Sequence, residues 1–151
     1  MRFVADTNII ISGLLWHGSP RRVLASARET DAELFTSPAI LSELDDVLQR
    51  PKFESLLASV GSSVQAVLLQ YAALATLVHP VYTPAVVERD PDDNVVLACA
   101  IAAGASYIIS GDSDLLDIDT YRGIDIVSAS QFLKRLAEEG QNVAQGVEPD
   151  A

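Results

Sequence analysis

Cysteine, histidine and lysine are nearly missing from this chain, and each scarcity removes a class of chemistry. Cys99 is the only cysteine, so no intrachain disulfide can form and a reducing compartment is expected. It stands in an apolar run, as a small core residue rather than a nucleophile. His17 and His79 are far apart and are the only histidines, which argues against a zinc centre. Ten Lys and Arg face 21 Asp and Glu, a formal net charge of −11, so the basic face of a nonspecific nucleic-acid binder is lacking. No apolar run approaches the roughly 18 residues needed to span a bilayer. Near the start Asp6 interrupts the apolar stretch and no small-residue cleavage site follows, so the segment does not read as a signal peptide. The expectation is a cytoplasmic protein with no membrane partner.

What is present is a core. A hydrophobic content of 49% over 151 residues fits a globular chain of one domain. Neither a repeat nor a linker divides it, so residues 1–139 read as the domain and 140–151 as a disordered tail. The organising stretch is Phe3-Val4-Ala5-Asp6-Thr7-Asn8. Three apolar residues without alternation read as a strand covered on both faces, as in a parallel sheet. Asp6 stands at its carboxyl end, where open α/β sheets place their ligands. The same Asp-Thr-Asn sequence also suits a helix N-cap or an Asx-turn, and this stretch alone leaves both readings open.

A short apolar helix follows from Ile9 to Leu15. Ser19-Pro20 opens a second, to about Arg28, by the logic of a cap followed by proline. Its Arg21, Arg22 and Arg28 form either a solvated face or a grip for an anionic polymer. Glu33 to Thr36 reads as a strand, and Ser37-Pro38 opens a helix from Ala39 to Gln49. There Ile40, Leu41, Leu44, Val47 and Leu48 make an amphipathic stripe. Glu43 borders that stripe beside Ile40 and Val47, whereas Asp45 and Asp46 point away from its centre. Helices over Phe53–Ala58 and Val64–Ala75, a strand at Leu77–His79 and a loop from Pro80 to Pro84 come next. After Arg89-Asp90-Pro91-Asp92-Asp93-Asn94, Val95 to Ala103 carries no polar side chain except the Cys99 thiol, and the helix ends at Gly104. A helix apolar all round is buried, which draws its N-terminal acids toward the core. Ser106 to Ser110 is another apolar strand, with Gly111-Asp112-Ser113-Asp114 at its carboxyl end. Ile124–Val127 and a last helix ending near Glu139 complete the chain.

Strands alternating with helices give a mainly parallel α/β sheet, in which Asp6 and Asp112 share one edge. Asp93 and Glu43 can reach the same edge. Between Glu88 and Asp119 there are eight acids against one base, Arg89. Carboxylates gathered so closely raise one another's pKa or need a cation. With oxygen donors and almost no imidazole or thiolate, the cation of choice is Mg²⁺ or Mn²⁺. Such a site suits phosphodiester hydrolysis. Taken singly, Asp93 and Asp112 also suit a helix cap and a turn, and Glu43 a solvated face.

The set formed by Asp6-Thr7-Asn8, Glu43, Asp-Pro-Asp-Asp-Asn ending at Asn94, and Ser110-Gly111-Asp112-Ser113-Asp114-Leu115 resembles a PIN-domain ribonuclease. It is most similar to the toxin-component, VapC-like branch of bacterial toxin–antitoxin systems, over about residues 2 to 135. The resemblance implies a three-layer α/β/α sandwich, Mg²⁺- or Mn²⁺-dependent cleavage of RNA, a homodimer and an antitoxin partner. Carried over by position, Asp6, Glu43, Asp93 and Asp112 are the catalytic and metal-holding acids, with Asp114 a fifth. Thr7, Asn8 and Ser110 are similar to the family's polar helpers. Asp90 and Asp92 compete with Asp93, which the family's spacing to Gly104 favours. Basic residues near these acids are few, a departure from the usual RNA-binding surface.

Three other readings are weighed against this one. A phosphoaspartate phosphatase wants a second acid two residues after its nucleophile, where Asn8 stands, and a downstream lysine. Lys52 and Lys134 are the only lysines, and neither is at a strand end. Asp90, Asp92 and Asn94 match the opening of an EF-hand loop, but Val95 and Ile101 replace its glycine and glutamate. The third is a catalytically inactive PIN-like interaction module.

Overall fold

The computed structural model describes residues 1–87 and 91–144. Glu88, Arg89, Asp90 and the expected tail beyond Ala144 lie outside the described residues.

Strand β1 (Arg2–Ala5) enters the middle of a six-stranded sheet. Phe3, Val4 and Ala5 are fully buried, which is why the run is apolar without alternation. Helices α1 (Thr7–Leu15) and α2 (Ser19–Glu29) lead to β2 (Glu33–Thr36). Helices α3 (Pro38–Leu48), α4 (Pro51–Ser59) and α5 (Val64–Leu74) lead to β3 (Ala75–Leu77). Helix α6 (Pro91–Ala103) then returns the chain across β1 to β4 (Tyr107–Ile109). The short α7 (Ser113–Leu116), β5 (Thr120–Tyr121), β6 (Ile124–Val127) and α8 (Ala129–Ala144) follow.

The strand order is β3-β2-β1-β4-β6-β5, parallel throughout except that β5 runs antiparallel to β6. Phe3 registers with Leu34 on one side and Tyr107 on the other. The chain crosses the sheet one way from β1 to β3 and the other way from β3 to β4. Right-handed crossovers therefore put α1–α2 and α6 on opposite faces, giving a three-layer α/β/α sandwich. Phe132 of α8 fixes the face that carries Phe3, with ring centroids 4.7 Å from Phe3 and 5.7 Å from Tyr107. Gly104 ends α6 in the left-handed region at φ 62°, and Ala105 N–H closes onto Ala100 C=O at 3.0 Å.

Two local expectations are corrected. The edge strand lies at Ala75–Leu77 instead of Leu77–His79, because its ladder is set by pairing with Leu34–Thr36. The last helix runs to Ala144, past Glu139. The α7 turn and strand β5 are too short to show a period and the sequence does not announce them, whereas β6 lies at Ile124–Val127 as expected. Among the described residues no single helix is long and apolar enough to cross a membrane.

The topology decides where a ligand can sit. Strand order reverses between β1 and β4, and a doubly wound sheet opens a crevice at the carboxyl ends of strands at such a switch point. Ala5 and Ile109 are register partners there, and the next residues along the two strands are Asp6 and Ser110.

Candidate metal centre

Asp6 is buried at 5% exposure. One carboxylate oxygen accepts the Ile9 N–H at 2.9 Å, so the residue is the N-cap of α1. The other accepts a short hydrogen bond from Ser110 Oγ. The same hydroxyl oxygen accepts the Asp112 N–H at 3.0 Å, so Ser110 ties together the acids that follow β1 and β4. Burial holds the Asp6 carboxyl above its usual pKa, and the neighbouring charge of Asp112 adds to the rise. Hydrogen bonds from Ser110 and from the Ile9 and Gly111 backbone work against it.

Asp112 N-caps α7, accepting the Asp114 N–H at 2.8 Å. Asp93 is buried in the first turn of α6 and is brought to the same edge by that helix's apolar packing. Glu43 is half-buried on α3, one turn beyond the buried Ile40, at the border its stripe prescribes. Asp45 is held on its own helix by Gln49 Nε2 at 2.8 Å, and Asp46 is exposed.

These elements enclose a small open cavity of about 40 Å³, lined by Asp6, Thr7, Asn8, Glu43, Asp92, Asp93, Val96 and Asp112. That space holds a few waters or a partly hydrated ion. One carboxylate oxygen from each of Asp93, Asp112 and Asp114 lies within 4.8 Å of the others. Asp114 thus meets the group from the α7 side without lining the cavity. Thr7 Oγ1 is buried at the cavity wall and finds no hydrogen-bond partner among the described residues. A buried hydroxyl without a partner at a polar wall is one that a ligand or water completes. An all-oxygen donor set of converging carboxylates, with no basic side chain lining the cavity among the described residues, fits a hard divalent cation.

Asp6, Thr7, Asn8, Glu43, Asp93 and Asp112 thus line one cavity, with Ser110 bonded to Asp6 and Asp114 grouped with Asp93 and Asp112. Asp92, a competitor to Asp93, lines the cavity as well and is exposed; Asp90 lies outside the described residues. Asn94 does something the sequence does not show. Its Oδ1 accepts the Val86 and Val87 N–H groups at 3.0 and 2.8 Å, and its Nδ2 donates to Val87 C=O at 2.8 Å. It fastens the loop after β3 to α6 and so positions the acids beside it. Neither lysine lines the cavity, where a phosphatase would need one: Lys52 lies over Phe53, and Lys134 is exposed on α8.

Comparison with curated proteins finds no match. Among solved structures, the chain is similar to VapBC2 from Rickettsia felis, determined bound to a DNA fragment from its promoter. That match has 17% identity and a TM-score of 0.56, and covers 83% of this chain and 97% of the other. It is also similar to PAE2754 from Pyrobaculum aerophilum, at 13% identity and a TM-score of 0.57, covering 91% and 90%. Both likenesses concern the fold. In sequence, the family profile described as PIN domain matches residues 2–114, from β1 through the acids that follow β4. The chain belongs to the PIN domain family.

Proposed function

We propose that the protein is a Mg²⁺- or Mn²⁺-dependent endoribonuclease and the toxin of a toxin–antitoxin pair. The observation that carries the chemistry is convergence. Acids that follow β1 and β4, and others on α3 and α6, meet at one small cavity at the switch point of the sheet. Carboxylates are costly to gather there without a cation. Asp6, Glu43, Asp93 and Asp112 would hold it, with Asp114 as a fifth donor. When bound, the cation orients the scissile phosphate, makes a hydroxide available and stabilises the leaving oxygen.

The chain's own groups do the rest. Asp6 is immobilised by Ile9 N–H and Ser110, so its donor oxygens keep one direction. Thr7 Oγ1 has a hydroxyl hydrogen to offer a phosphate oxygen, and exposed Asn8 stands at the rim with its amide. Glu43 closes the α3 side.

The toxin role is supported by family membership and by the structural similarity to VapBC2. An acidic, open site suits a basic partner peptide, and an antitoxin would offer an arginine to it. Homodimerisation in the cytoplasm belongs to the same reading, with the exposed Leu56, Val60 and Leu69 around α4 and α5 as apolar surface. Co-expression with a small neighbouring reading frame, followed by sedimentation, tests both.

The deciding experiment is cleavage of single-stranded RNA with and without EDTA. Cleavage that EDTA abolishes and Mn²⁺ restores, leaving 5′-phosphate products, is the expected result. Hydrolysis of a small phosphomonoester without RNA cleavage would overturn it in favour of a phosphatase, and no hydrolysis of either would leave the inactive module.

A further inference from the structure

We propose that the surface joining the end of α1 to the start of α4, centred on Trp16, is a stacking platform for single-stranded RNA. The proposal rests on the nuclease reading and answers a problem that reading raises. A chain of net charge −11, with no base among the described residues that line its cavity, gains from a second surface that holds a polyanion.

Trp16 is the only tryptophan, and it is 48% exposed at the C-cap of α1. An open indole offers a flat apolar face with a polar N–H edge, the kind of side chain that binding surfaces use. Its ring is propped from below by Phe53, centroids 6.4 Å apart and planes at 61°, and Phe53 is itself buried. Cations stand on both elements that carry this pair. Lys52 Nζ lies 4.8 Å from the Phe53 centroid. Arg21 reaches the last carbonyls of α1, Gly13 C=O and Leu14 C=O, both at 3.3 Å, and its Nη1 meets His17 Nδ1 at 3.2 Å. Exposed Arg22 and Arg50 adjoin Arg21 and Lys52 in the chain, and exposed Glu54 is the one acid within the 50–54 stretch. Lys52 thus lies against the ring that props Trp16, and Arg21 against the end of the helix that Trp16 caps, with Arg22 and Arg50 beside them in sequence.

The approach of α2 to α1 makes this placement rigid. A Cβ on Gly13 would meet Leu24 Cδ1 at 2.6 Å and Pro20 C=O oxygen at 2.8 Å. Only glycine lets the start of α2 press against the end of α1 and deliver Arg21 to it.

The platform also lies on a track from the cavity. Asn8 and Ser12 follow one another at helical spacing along the open side of α1, whose other side buries Ile9, Ile10, Ile11 and Leu14, and Trp16 caps the end of that helix. Asn8 lines the cavity. Eight residues of helix rise about 12 Å, the reach of a few nucleotides. A strand whose phosphate lies at the acids can thus run along α1 and lay a base on Trp16, its phosphates beside Arg21, Arg22, Arg50 and Lys52. Stacking with cationic flanks is how single strands are held without base readout.

Trp16 reports on itself, because no other tryptophan contributes emission. Oligouridylate titrated into the full chain in EDTA, where no cleavage occurs, should quench that emission to saturation, with an affinity that falls as salt rises. In anisotropy with a fluorescein-labelled strand, Trp16→Ala should weaken binding about five- to hundredfold. Trp16→Phe should retain most of it, and Lys52→Gln should lower the salt slope. Should Trp16→Ala fail to fold by circular dichroism, wild-type quenching and Lys52→Gln decide. Absent quenching from an enzyme that still cleaves RNA overturns the platform and leaves the nuclease. Quenching without any cleavage keeps the platform and removes the nuclease. Emission that follows protein concentration instead of RNA makes the face a self-association surface and also overturns the proposal.

Discussion

Ser110 Oγ donates to Asp6 and accepts from the Asp112 backbone, so two acids on neighbouring parallel strands share one hydroxyl. The bond to Asp6 lowers a carboxyl pKa that burial raises, and so favours the ionised form that a cation needs. Ser110→Ala should leave the fold intact and lower Mn²⁺ affinity about ten- to hundredfold, as for partners that orient metal ligands. Calorimetric titration checks this. Unchanged affinity would make Ser110 a brace for the strand ends and nothing more.

Asp6→Asn separates the cap from the charge. Asparagine is as good an N-cap as aspartate, so the Ile9 N–H keeps its partner. The buried negative charge is lost. Mn²⁺ at a hundred times its Kd should stabilise wild type by about 2.7 kcal/mol, read as a rise in Tm. The variant should show almost none of that rise, while its metal-free Tm stays at or above wild type. Equal shifts in both proteins would remove Asp6 from the ligand set.

The sequence is most legible where one physical rule acts alone. The unbroken apolar runs of β1 and β4 follow from burial on both faces, and the helical phase of α3 separates Glu43 from Asp46. Asp6 offers a cap reading and a ligand reading, and geometrically its carboxylate caps α1 with one oxygen while the residue lines the cavity. Legibility fails where the answer depends on distant partners. Leu77-Val78-His79 has strand character, yet the ladder with β2 starts at Ala75. Asn94 stands in an acidic motif, but its amide serves Val86 and Val87. Trp16 and Phe53 meet from different parts of the chain, which no local pattern announces.

Glu43, Asp45 and Asp46 test function against composition, since they carry the same charge within one turn of α3. Glu43 lines the cavity; Asp45 is tied to Gln49, and Asp46 faces water. Removing an interaction that the site makes in the transition state, taken as about 3–4 kcal/mol, slows cleavage on the order of a hundred- to thousandfold. Glu43→Gln should do this with the Tm preserved. The double variant Asp45→Asn with Asp46→Asn should cleave at near the wild-type rate, its stability within about 0.5 kcal/mol. The reverse pattern would mean that α3 presents a different face to the phosphate.

Cys99 makes a prediction about alkaline pH. Burial pushes its thiol up from 9.0 to about 12, against a hydrogen bond with Ser37. The folded state then keeps a proton that the unfolded chain gives up, so stability falls as pH rises through that interval. Buried Tyr71 is shifted in the same direction and adds to the slope at higher pH. Urea melts at rising pH should show the decline, and Cys99→Ala should flatten its first part. A thiol reagent should leave the native protein unmodified at neutral pH and label it fully in urea. Rapid labelling of the native state would show that the pocket around Cys99 opens.

Asn94 separates loss of support from loss of chemistry. Asn94→Ala strands the N–H of Val87, which is buried, and frees that of Val86, which water can reach. An unmatched buried donor costs about 1–3 kcal/mol, so the melting temperature should fall. The loop after β3 and the first turn of α6 would then fluctuate, and with them Asp92 and Asp93 beside the mutated position. Cleavage should decline in step with that loosening, and cooling or added Mn²⁺ should recover much of it, because both favour the ordered site. Glu43→Gln should behave oppositely, stable when warm and slow at every temperature. If Asn94→Ala is as stable as wild type yet inactive, the amide acts on the substrate directly and its hold on the loop is incidental.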